Sequence, residues 1–263
     1  MHQIHRKALS FGLLVLATSG SRWNRKIFSK FNMIEGDRNM NSIIKLRIEQ
    51  IDEVATLIDA AFPLSSTHSW SRALGFQEGH LFPYLKNILL PKCISDSHGE
   101  LDSLTNTLNG VIILEICKFS EADQEVKTFQ ESLHDNQYSP EAALQAILNQ
   151  CTTIFLGEWR KRFEINYDAS YTYVAWIVTR ETCRGRGTAG NLLNFATKQQ
   201  ADETNSTAAV AYCSHPGSQR VFERQGYETW GVIYYDKFKY KDQTPFSVLP
   251  DYVAVMVKLL RVT

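Results

Sequence analysis

The stretch that decides the fold is Cys183-Arg184-Gly185-Arg186-Gly187-Thr188-Ala189-Gly190. Before it, residues 171–178 alternate and are rich in aromatic and β-branched side chains, which predicts a strand. After it, residues 187–201 carry apolar side chains at helical spacing, which predicts a helix. Glycines let the main chain approach a ligand closely, and the unpaired N–H groups of a helix start bind anions. Because two arginines add positive charge, the stretch predicts a site for a phosphate-bearing ligand. The alternative is a glycine-lined turn with solvated arginines.

The glycines at 185, 187 and 190 also satisfy the G-x-G-x-x-G pattern of dinucleotide sites. A dinucleotide fold needs an acidic residue at the end of the next strand to hold the ribose. The next predicted strand, residues 208–213, ends at Cys213-Ser214, which is not acidic. An NAD-binding domain is therefore the weakest of the functions considered.

The rest of the chain adds alternating strand-like and helical segments. Strands are predicted at residues 43–48, 104–108, 111–116, 208–213, 227–235 and 252–260. Helices are predicted at 51–62, where Pro63 should stop the helix, after the capping sequence Ser139-Pro140-Glu141, and at 217–225. With the strand and helix around the glycine stretch, this makes about seven strands and four or more helices, an α/β pattern with a mixed sheet.

Composition limits the class of protein. The chain has 263 residues, 44% of them hydrophobic, with 28 Lys and Arg against 28 Asp and Glu. No basic excess is present to neutralise phosphates, which argues against a nucleic-acid partner. No apolar run approaches the ~20 residues needed to span a bilayer, so no stable membrane span is expected in the body of the chain. The five cysteines are widely spaced without a C-x-x-C pair, so we expect neither a disulfide framework nor a metal site.

The first 34 residues differ from the rest, with six Lys and Arg, no acidic residue and an apolar block at 8–17. They resemble a secretory signal or a mitochondrial transit peptide, and an upstream start before Met33 or Met40 is the alternative. We set residues 1–40 aside as a leader. A cytoplasmic protein is expected, with mitochondrial or secretory routing by residues 1–34 as the alternatives.

The glycine stretch resembles a family motif. Residues 184–189 match the R/Q-x-x-G-x-G/A pattern of the GNAT superfamily of acyl-CoA N-acyltransferases, in which this loop holds the coenzyme A pyrophosphate. Residues 218–227 resemble the same family's helix that ends in a glycine and an aromatic residue. The resemblance covers about residues 43–263. It implies a mixed, mostly antiparallel central sheet flanked by helices on both faces, in one domain at 41–263 with a helical insert at about 119–169.

A narrower resemblance is to the invertebrate arylalkylamine N-acetyltransferases of the dopamine-acetylating type. It rests on Leu74-Gly75 and on the helical insert. It implies transfer of acetyl from acetyl-CoA to a primary amine, with a small arylalkylamine as the implied substrate, by direct attack through a tetrahedral intermediate. The implied acetyl-CoA contacts are the main-chain N–H groups of Ile177, Val178 and Thr179 and the loop residues Arg184, Gly185, Arg186, Gly187, Thr188, Ala189 and Gly190. The family has a proline before the arginine loop where this chain has Glu181.

The amine must be neutral to attack the thioester, so the site needs a base. The resembled enzymes supply a glutamate from a segment before the Leu-Gly pair, and His68 takes its place here. Histidine is a competent base near neutral pH. Glu115, on the predicted central strand, is the second candidate. A surface histidine and a strand-edge carboxylate are the respective structural alternatives.

The leaving thiolate must be protonated. Many members of the superfamily use a tyrosine at the position of Phe222, which cannot donate a proton. Ser214 and Ser218 resemble the serine pair of the insect-type enzymes, although Ser218 can also be a helix cap. Tyr212 is a further candidate donor. A covalent acyl-cysteine at Cys213 is disfavoured because adjacent strand residues point to opposite faces.

Two further functions stay open beside a small-amine acetyltransferase. One is a GNAT enzyme acting on a peptide or protein amine, and the other is an inactive module that binds acetyl-CoA. The tryptophans at 70, 176 and 230 can line a substrate cleft or belong to the core. Without the six basic residues of 1–34, 22 Lys and Arg remain against 28 Asp and Glu, a balance that suits a cationic amine better than a nucleic acid.

Overall fold

Seven strands form a single sheet in the computed structural model, which describes residues 42–64, 70–132, 138–164 and 166–260. The strands are β1 (Ser42–Lys45), β2 (His98–Asp102), β3 (Thr107–Lys118), β4 (Ser170–Thr179), β5 (Ser206–Cys213), β6 (Glu228–Tyr234) and β7 (Tyr252–Leu259). Their order is β1-β2-β3-β4-β5-β7-β6. Only the β4–β5 pair is parallel. The predicted mixed, mostly antiparallel sheet is confirmed.

Helices cover both faces of the sheet, as predicted. One face carries α1 (Ile51–Leu64), α2 (Trp70–Leu74), α3 (Phe82–Tyr84), α4 (Leu90–Cys93), α5 (Phe119–Ser132) and α6 (Pro140–Arg162), and a π-helical turn at Leu85–Leu89 joins α3 to α4. The other face carries α7 (Thr188–Glu203) and α8 (Pro216–Arg224). Among the described residues, no helix is long and apolar enough to cross a membrane.

The helix predicted after the capping sequence is α6. The Ser139 hydroxyl accepts a hydrogen bond from the Ala142 N–H at 3.1 Å, and Pro140 takes the first helical position, where its missing N–H costs nothing. Together with α5, this helix occupies the region predicted as an insert. Its Phe155 packs on Tyr171 of β4 and Trp230 of β6, so α6 belongs to the main core of this face.

The prediction of a strand at residues 104–108 is wrong. These residues include the turn between β2 and β3, and β2 lies earlier in the chain. The carboxylate of Asp102 accepts hydrogen bonds from the N–H groups of Leu104 and Thr105 at 2.9 and 3.1 Å. Asn106 adopts a φ of 55°, which asparagine tolerates better than most residues. This turn chemistry takes precedence over the apolar side chain of Leu104, which is 78% exposed.

Two predicted boundaries also need correction. The first helix does not stop before Pro63 but includes it and ends at Leu64, because a proline φ is helical and only one N–H is lost from the last turn. The first strand was predicted to reach residue 48, but it ends at Lys45 and a 3-10 turn begins at Ile48. Neither change moves the elements that surround the glycine stretch.

Candidate functional site

A wedge-shaped gap opens between β4 and β5, the parallel pair at the centre of the sheet. Their pairing ends at Tyr173 and Val210. Beyond this point β4 continues along β3 to Thr179, while β5 continues along β7 to Cys213. The two strands therefore diverge toward the end of β4 that leads into the glycine stretch.

Main-chain groups of β4 face this gap. The Arg180 N–H donates to the Asn109 carbonyl at 2.7 Å, so the main chain of Arg180 is hydrogen-bonded to β3. In an antiparallel ladder successive residues direct their polar groups to opposite sides, so Val178 faces β3 while Ile177 and Thr179 face the gap. The three residues predicted to supply N–H donors therefore divide into two at the gap and one in the β3 ladder.

The glycine stretch forms the loop between β4 and α7. Gly185 and Gly187 have φ values of 77° and 91°, a region that favours glycine. Gly187 caps α7 without a side-chain hydrogen bond, and the first intrahelical bond runs from the Asn191 N–H to the Gly187 carbonyl at 3.0 Å. The N–H groups of Thr188, Ala189 and Gly190 come before the first intrahelical bond, so they have no partner within the helix and point out of its N-terminal end. This end of α7 has the geometry and the dipole for an anion.

The two arginines of the loop differ in their surroundings. Arg184 has a side chain that is only 17% exposed, and its nearest acidic oxygen, from Glu181, is 3.9 Å from Nη1. The Nε atom of Arg184 is buried and has no hydrogen-bond partner among the described residues, and the same holds for the Thr179 hydroxyl. Arg186 is exposed. Two buried polar atoms beside an open helix start fit a phosphate-bearing ligand such as coenzyme A.

Thr188 has a position that the sequence does not reveal. Its hydroxyl donates to the Glu100 carboxylate at 2.8 Å, and both residues are at most 3% exposed. The Thr188 side chain therefore anchors the first turn of α7 to β2, and only its main chain opens toward the loop. Gly110 of β3 makes this packing possible, since a Cβ there would lie 2.8 Å from Thr188 Cγ2 and 2.7 Å from the Val178 carbonyl oxygen.

Substitution Thr188→Val is expected to lower the free energy of unfolding by about 1–3 kcal/mol, because the buried Glu100 carboxylate loses a hydroxyl donor. The first turn of α7 should also shift, which would weaken the binding of a phosphate-bearing ligand at this helix start. Urea unfolding measures the first effect and isothermal titration calorimetry the second. The control Thr188→Ser keeps the hydroxyl and should retain most of the stability. Equal stability of the valine variant and the native chain would contradict the anchoring role.

This chain is similar to known proteins in its structure and not in its sequence. No family model matches the chain, and no curated protein sequence matches it. Among solved structures, the chain is similar to arylalkylamine N-acetyltransferase 2 from Aedes aegypti, with a TM-score of 0.68, 16% identity, and 85% of this chain and 100% of that chain covered. The chain has the GNAT fold.

Two further solved structures are also similar to this chain. The first is the Drosophila melanogaster polyamine N-acetyltransferase, an enzyme that forms N-acetylagmatine, with a TM-score of 0.63, 14% identity, and 83% and 99% of the two chains covered. The second is the C-terminal condensation domain of Ebony in complex with β-alanyl-dopamine, with a TM-score of 0.56, 15% identity, and 83% and 98% covered. At these identities the comparisons establish the fold alone.

The predicted catalytic residues lie near the start of α8 or outside the described residues. His68 is outside them. Ser214 is 2% exposed and follows β5, and Ser218 is fully buried and donates its hydroxyl to the His215 carbonyl at 2.7 Å. Ser218 is not the helix cap, because His215 holds that position and its Nδ1 accepts the Gly217 N–H at 2.8 Å. The catalytic roles of the two serines stay predictions.

A hydrogen-bonded chain connects the start of α2 to the end of β5. Trp70 donates its indole N–H to the Tyr235 hydroxyl at 2.8 Å, and Tyr235 donates to the Ser214 carbonyl at 3.1 Å. All three residues are buried. The sequence could not predict this contact, because Trp70 and Tyr235 are 165 residues apart.

The other side chains considered for proton transfer, acyl transfer or a substrate cleft lie in the core of the protein. Phe222 is fully buried and packs edge-to-face on Tyr227 at 4.8 Å between ring centroids. The Tyr212 hydroxyl shares a hydrogen bond with Thr152 at 2.9 Å. Tyr212 and Cys213 pack into the cores on opposite faces of the sheet, as strand alternation predicts. The three tryptophans considered for a cleft are also core residues, each at most 8% exposed.

Within the described parts of the chain, no group of three or more His, Cys, Asp and Glu is placed to hold a metal ion. Burial raises the pKa of the Cys213 thiol well above its ordinary value, so it is a poor nucleophile near neutral pH.

Proposed function

We propose that this protein is an N-acetyltransferase that transfers acetyl from acetyl-CoA to a primary amine, with a small arylalkylamine as the proposed substrate. The main support for this proposal is that the gap between β4 and β5 lies next to the glycine loop. β4 runs from the gap-facing Ile177 directly into the glycine loop and the open start of α7. A single ligand with a thioester at one end and a pyrophosphate further along can therefore contact both parts.

Two sets of residues match the two ends of such a ligand, one at the glycine loop and one at the end of β4. The N–H groups of Thr188, Ala189 and Gly190 would bind the pyrophosphate, and the guanidinium of Arg184 would neutralise its charge. The N–H groups of Ile177 and Thr179 would face the thioester carbonyl, where negative charge develops during attack. Val178, the third main-chain donor that the sequence resemblance implies, has no part in this proposal because it pairs with β3.

The amine would attack the thioester carbon in the gap between β4 and β5. Its nitrogen must lose a proton before attack, and the thiolate must gain one after the C–S bond breaks. His68 as base, and Ser214 and Ser218 as groups near the thiolate, are the roles that the resemblance implies, and they stay part of this proposal. Substitution His68→Ala tests the first, since unchanged activity at neutral pH would exclude His68 as the base.

An inactive acetyl-CoA-binding module is the second candidate function. Phe222 favours it, because the side chain is fully buried and has no proton to donate. Ser218 favours it as well, since its hydroxyl proton is engaged with a main-chain carbonyl. Both candidates share the acetyl-CoA site and differ only in whether an amine is acetylated.

Two measurements test the proposal in sequence. Isothermal titration with acetyl-CoA and with NAD should give binding of acetyl-CoA only. Acetyl transfer to a panel of arylalkylamines, polyamines and peptide amines, followed by release of free thiol, should then show turnover with the arylalkylamines. Binding of acetyl-CoA without thiol release from any amine would establish the binding module instead. Turnover with peptide amines only would move the substrate class to peptides or proteins.

A further inference from the structure

His98 is a buried histidine between the sheet and α7. It begins β2 and is 1% exposed, and neither of its ring nitrogens has a hydrogen-bond partner among the described residues. Its ring lies against Phe195 of α7, with 5.4 Å between the ring centroids. These surroundings favour the neutral imidazole, because a buried charge without a hydrogen-bond partner is costly.

The edge strand beside β2 adds a positive charge on the same face. Lys45 of β1 is directly opposite His98, and directly opposite residues of an antiparallel pair project from one face of the sheet. Lys45 also lies 3.7 Å from a carboxylate oxygen of Glu203, so its side chain is on the side of α7. Ile112, which pairs with His98 on β3, adds only an apolar side chain. A proton on His98 would therefore place two positive charges opposite each other.

The pKa of His98 follows from these surroundings. Burial lowers the pKa of His98 below its ordinary value, and the charge of Lys45 lowers it further. Three residues act in the opposite direction without reversing the shift, namely Gln199, Glu203 and Asp96. Because the charged form is disfavoured only in the folded chain, the unfolded chain takes up the proton first as the pH falls. The contribution of neutral His98 to stability is therefore complete above about pH 6.5, the ordinary pKa of histidine, and decreases below it.

Strand β2 contacts both the start and the middle of α7. His98 contacts Phe195 in the middle of the helix, and Glu100, two residues further along β2, accepts the hydrogen bond from Thr188 in the first turn. Residues two apart on a strand project from the same face. A charge that weakens the packing of α7 on β2 at His98 would therefore also disturb the start of the helix, where N–H groups point toward an anion.

We propose that His98 makes the packing of α7 on β2 sensitive to pH, so that the site at the start of α7 binds acetyl-CoA less tightly as the pH falls below neutrality. The effect on acetyl-CoA rests on the proposed function, whereas the effect on the packing of α7 does not. In this step one proton moves from solvent to a ring nitrogen, which leaves both nitrogens as donors and the ring with a positive charge.

Urea unfolding at about pH 7.5 and about pH 5.5, on either side of the ordinary pKa of histidine, tests the effect on packing. His98→Gln keeps a polar side chain that cannot titrate, so its free energy of unfolding should fall less between the two pH values than that of the native chain. Lys45→Gln removes the opposing charge from a side chain that is 51% exposed and should also reduce the fall. His80→Gln, which removes an exposed histidine between α2 and α3, is the matched control and should keep the native pH dependence.

An NMR titration of the His98 ring gives a second measurement that needs no variant of His98 itself. The native chain should show a lower pKa for His98 than Lys45→Gln does, because the lysine charge opposes protonation. Equal falls in stability for the native chain, His98→Gln and Lys45→Gln, or an NMR pKa of His98 at or above its ordinary value, would overturn the role of His98.

Isothermal titration with acetyl-CoA at the same two pH values tests the effect on the site. The affinity of the native chain should fall by about fivefold more than that of His98→Gln, the lower end of typical coupling between two sites. A phosphate monoester of the ligand also titrates near about pH 6, and the comparison of two chains removes that contribution. Equal falls would overturn the link to acetyl-CoA and leave the proposed function in place. Absence of acetyl-CoA binding at both pH values would overturn the proposed function and this link, while urea unfolding still decides the effect on packing.

Discussion

Replacement of Phe155 by alanine is expected to lower the free energy of unfolding by about 3–5 kcal/mol, a large part of the about 5–15 kcal/mol available to a folded domain. Phe155 is fully buried in α6. Its ring centroid lies 4.9 Å from that of Tyr171 and 6.2 Å from that of Trp230. Removing the ring leaves a cavity between α6 and the sheet that these large aromatic side chains cannot readily fill. Urea unfolding followed by tryptophan fluorescence measures the change.

Phe195→Ala is the matched control, because this phenylalanine lies on α7 and is 40% exposed. Its contact with the His98 ring at 5.4 Å is the main interaction lost, so we expect a cost of about 1 kcal/mol or less. A loss of similar size in both variants would mean that α6 is a peripheral addition and not part of the core that supports β4 and β6.

Substitution Gly187→Ala is expected to weaken acetyl-CoA binding by about tenfold or more. The backbone at Gly187 has φ 91° and ψ −3°, and an alanine there costs about 1–3 kcal/mol. Each 1.4 kcal/mol lost from binding is about tenfold in affinity. The loop can avoid the strain only by rotating the amides that open toward the start of α7. Isothermal titration with acetyl-CoA measures the loss.

Gly157→Ala separates backbone strain from added bulk. An added Cβ meets nothing within 4 Å at either glycine, but Gly157 lies inside α6, where alanine suits the helix. This variant should gain about 0.5–1 kcal/mol in stability and bind acetyl-CoA as the native chain does. If Gly187→Ala also bound acetyl-CoA normally, the positive φ of the loop would have no part in the site.

The centre of the fold was predictable because its signals are local. The alternation of β4, the glycines of the loop and the helical spacing of α7 are contiguous in sequence, and each agrees with its neighbours. The Ser139 cap of α6 is equally local. Signals of this kind need no knowledge of distant contacts, so the position of the glycine loop between a strand and a helix follows from the sequence alone.

The sequence does not predict strand β2, because it contains a glycine and a glutamate that are unusual in a buried strand. Gly99 reads as a strand breaker, yet a Cβ there would lie 2.6 Å from Leu108 Cδ2, so the glycine makes room for core packing. Glu100 reads as a surface residue, yet it is 2% exposed. Its hydroxyl partner, Thr188, is 88 residues away. Only the folded chain brings this pair together.

Parts of the candidate site also depended on tertiary structure. The sequence indicates main-chain donors at residues 177–179, but the hydrogen bond from Arg180 to Asn109 decides which of them face the gap. The register of β3 on β4 places Glu115 beside the gap, and a register is set by pairing across the sheet and not by local sequence.

A crystal structure of the full chain with acetyl-CoA would show whether the gap between β4 and β5 and the glycine loop together bind this ligand. We expect the pyrophosphate at the N–H groups of Thr188, Ala189 and Gly190, and the thioester carbonyl oxygen about 2.7–3.2 Å from the Ile177 nitrogen. A pyrophosphate bound away from the start of α7, or a thioester outside the gap between β4 and β5, would contradict this expectation.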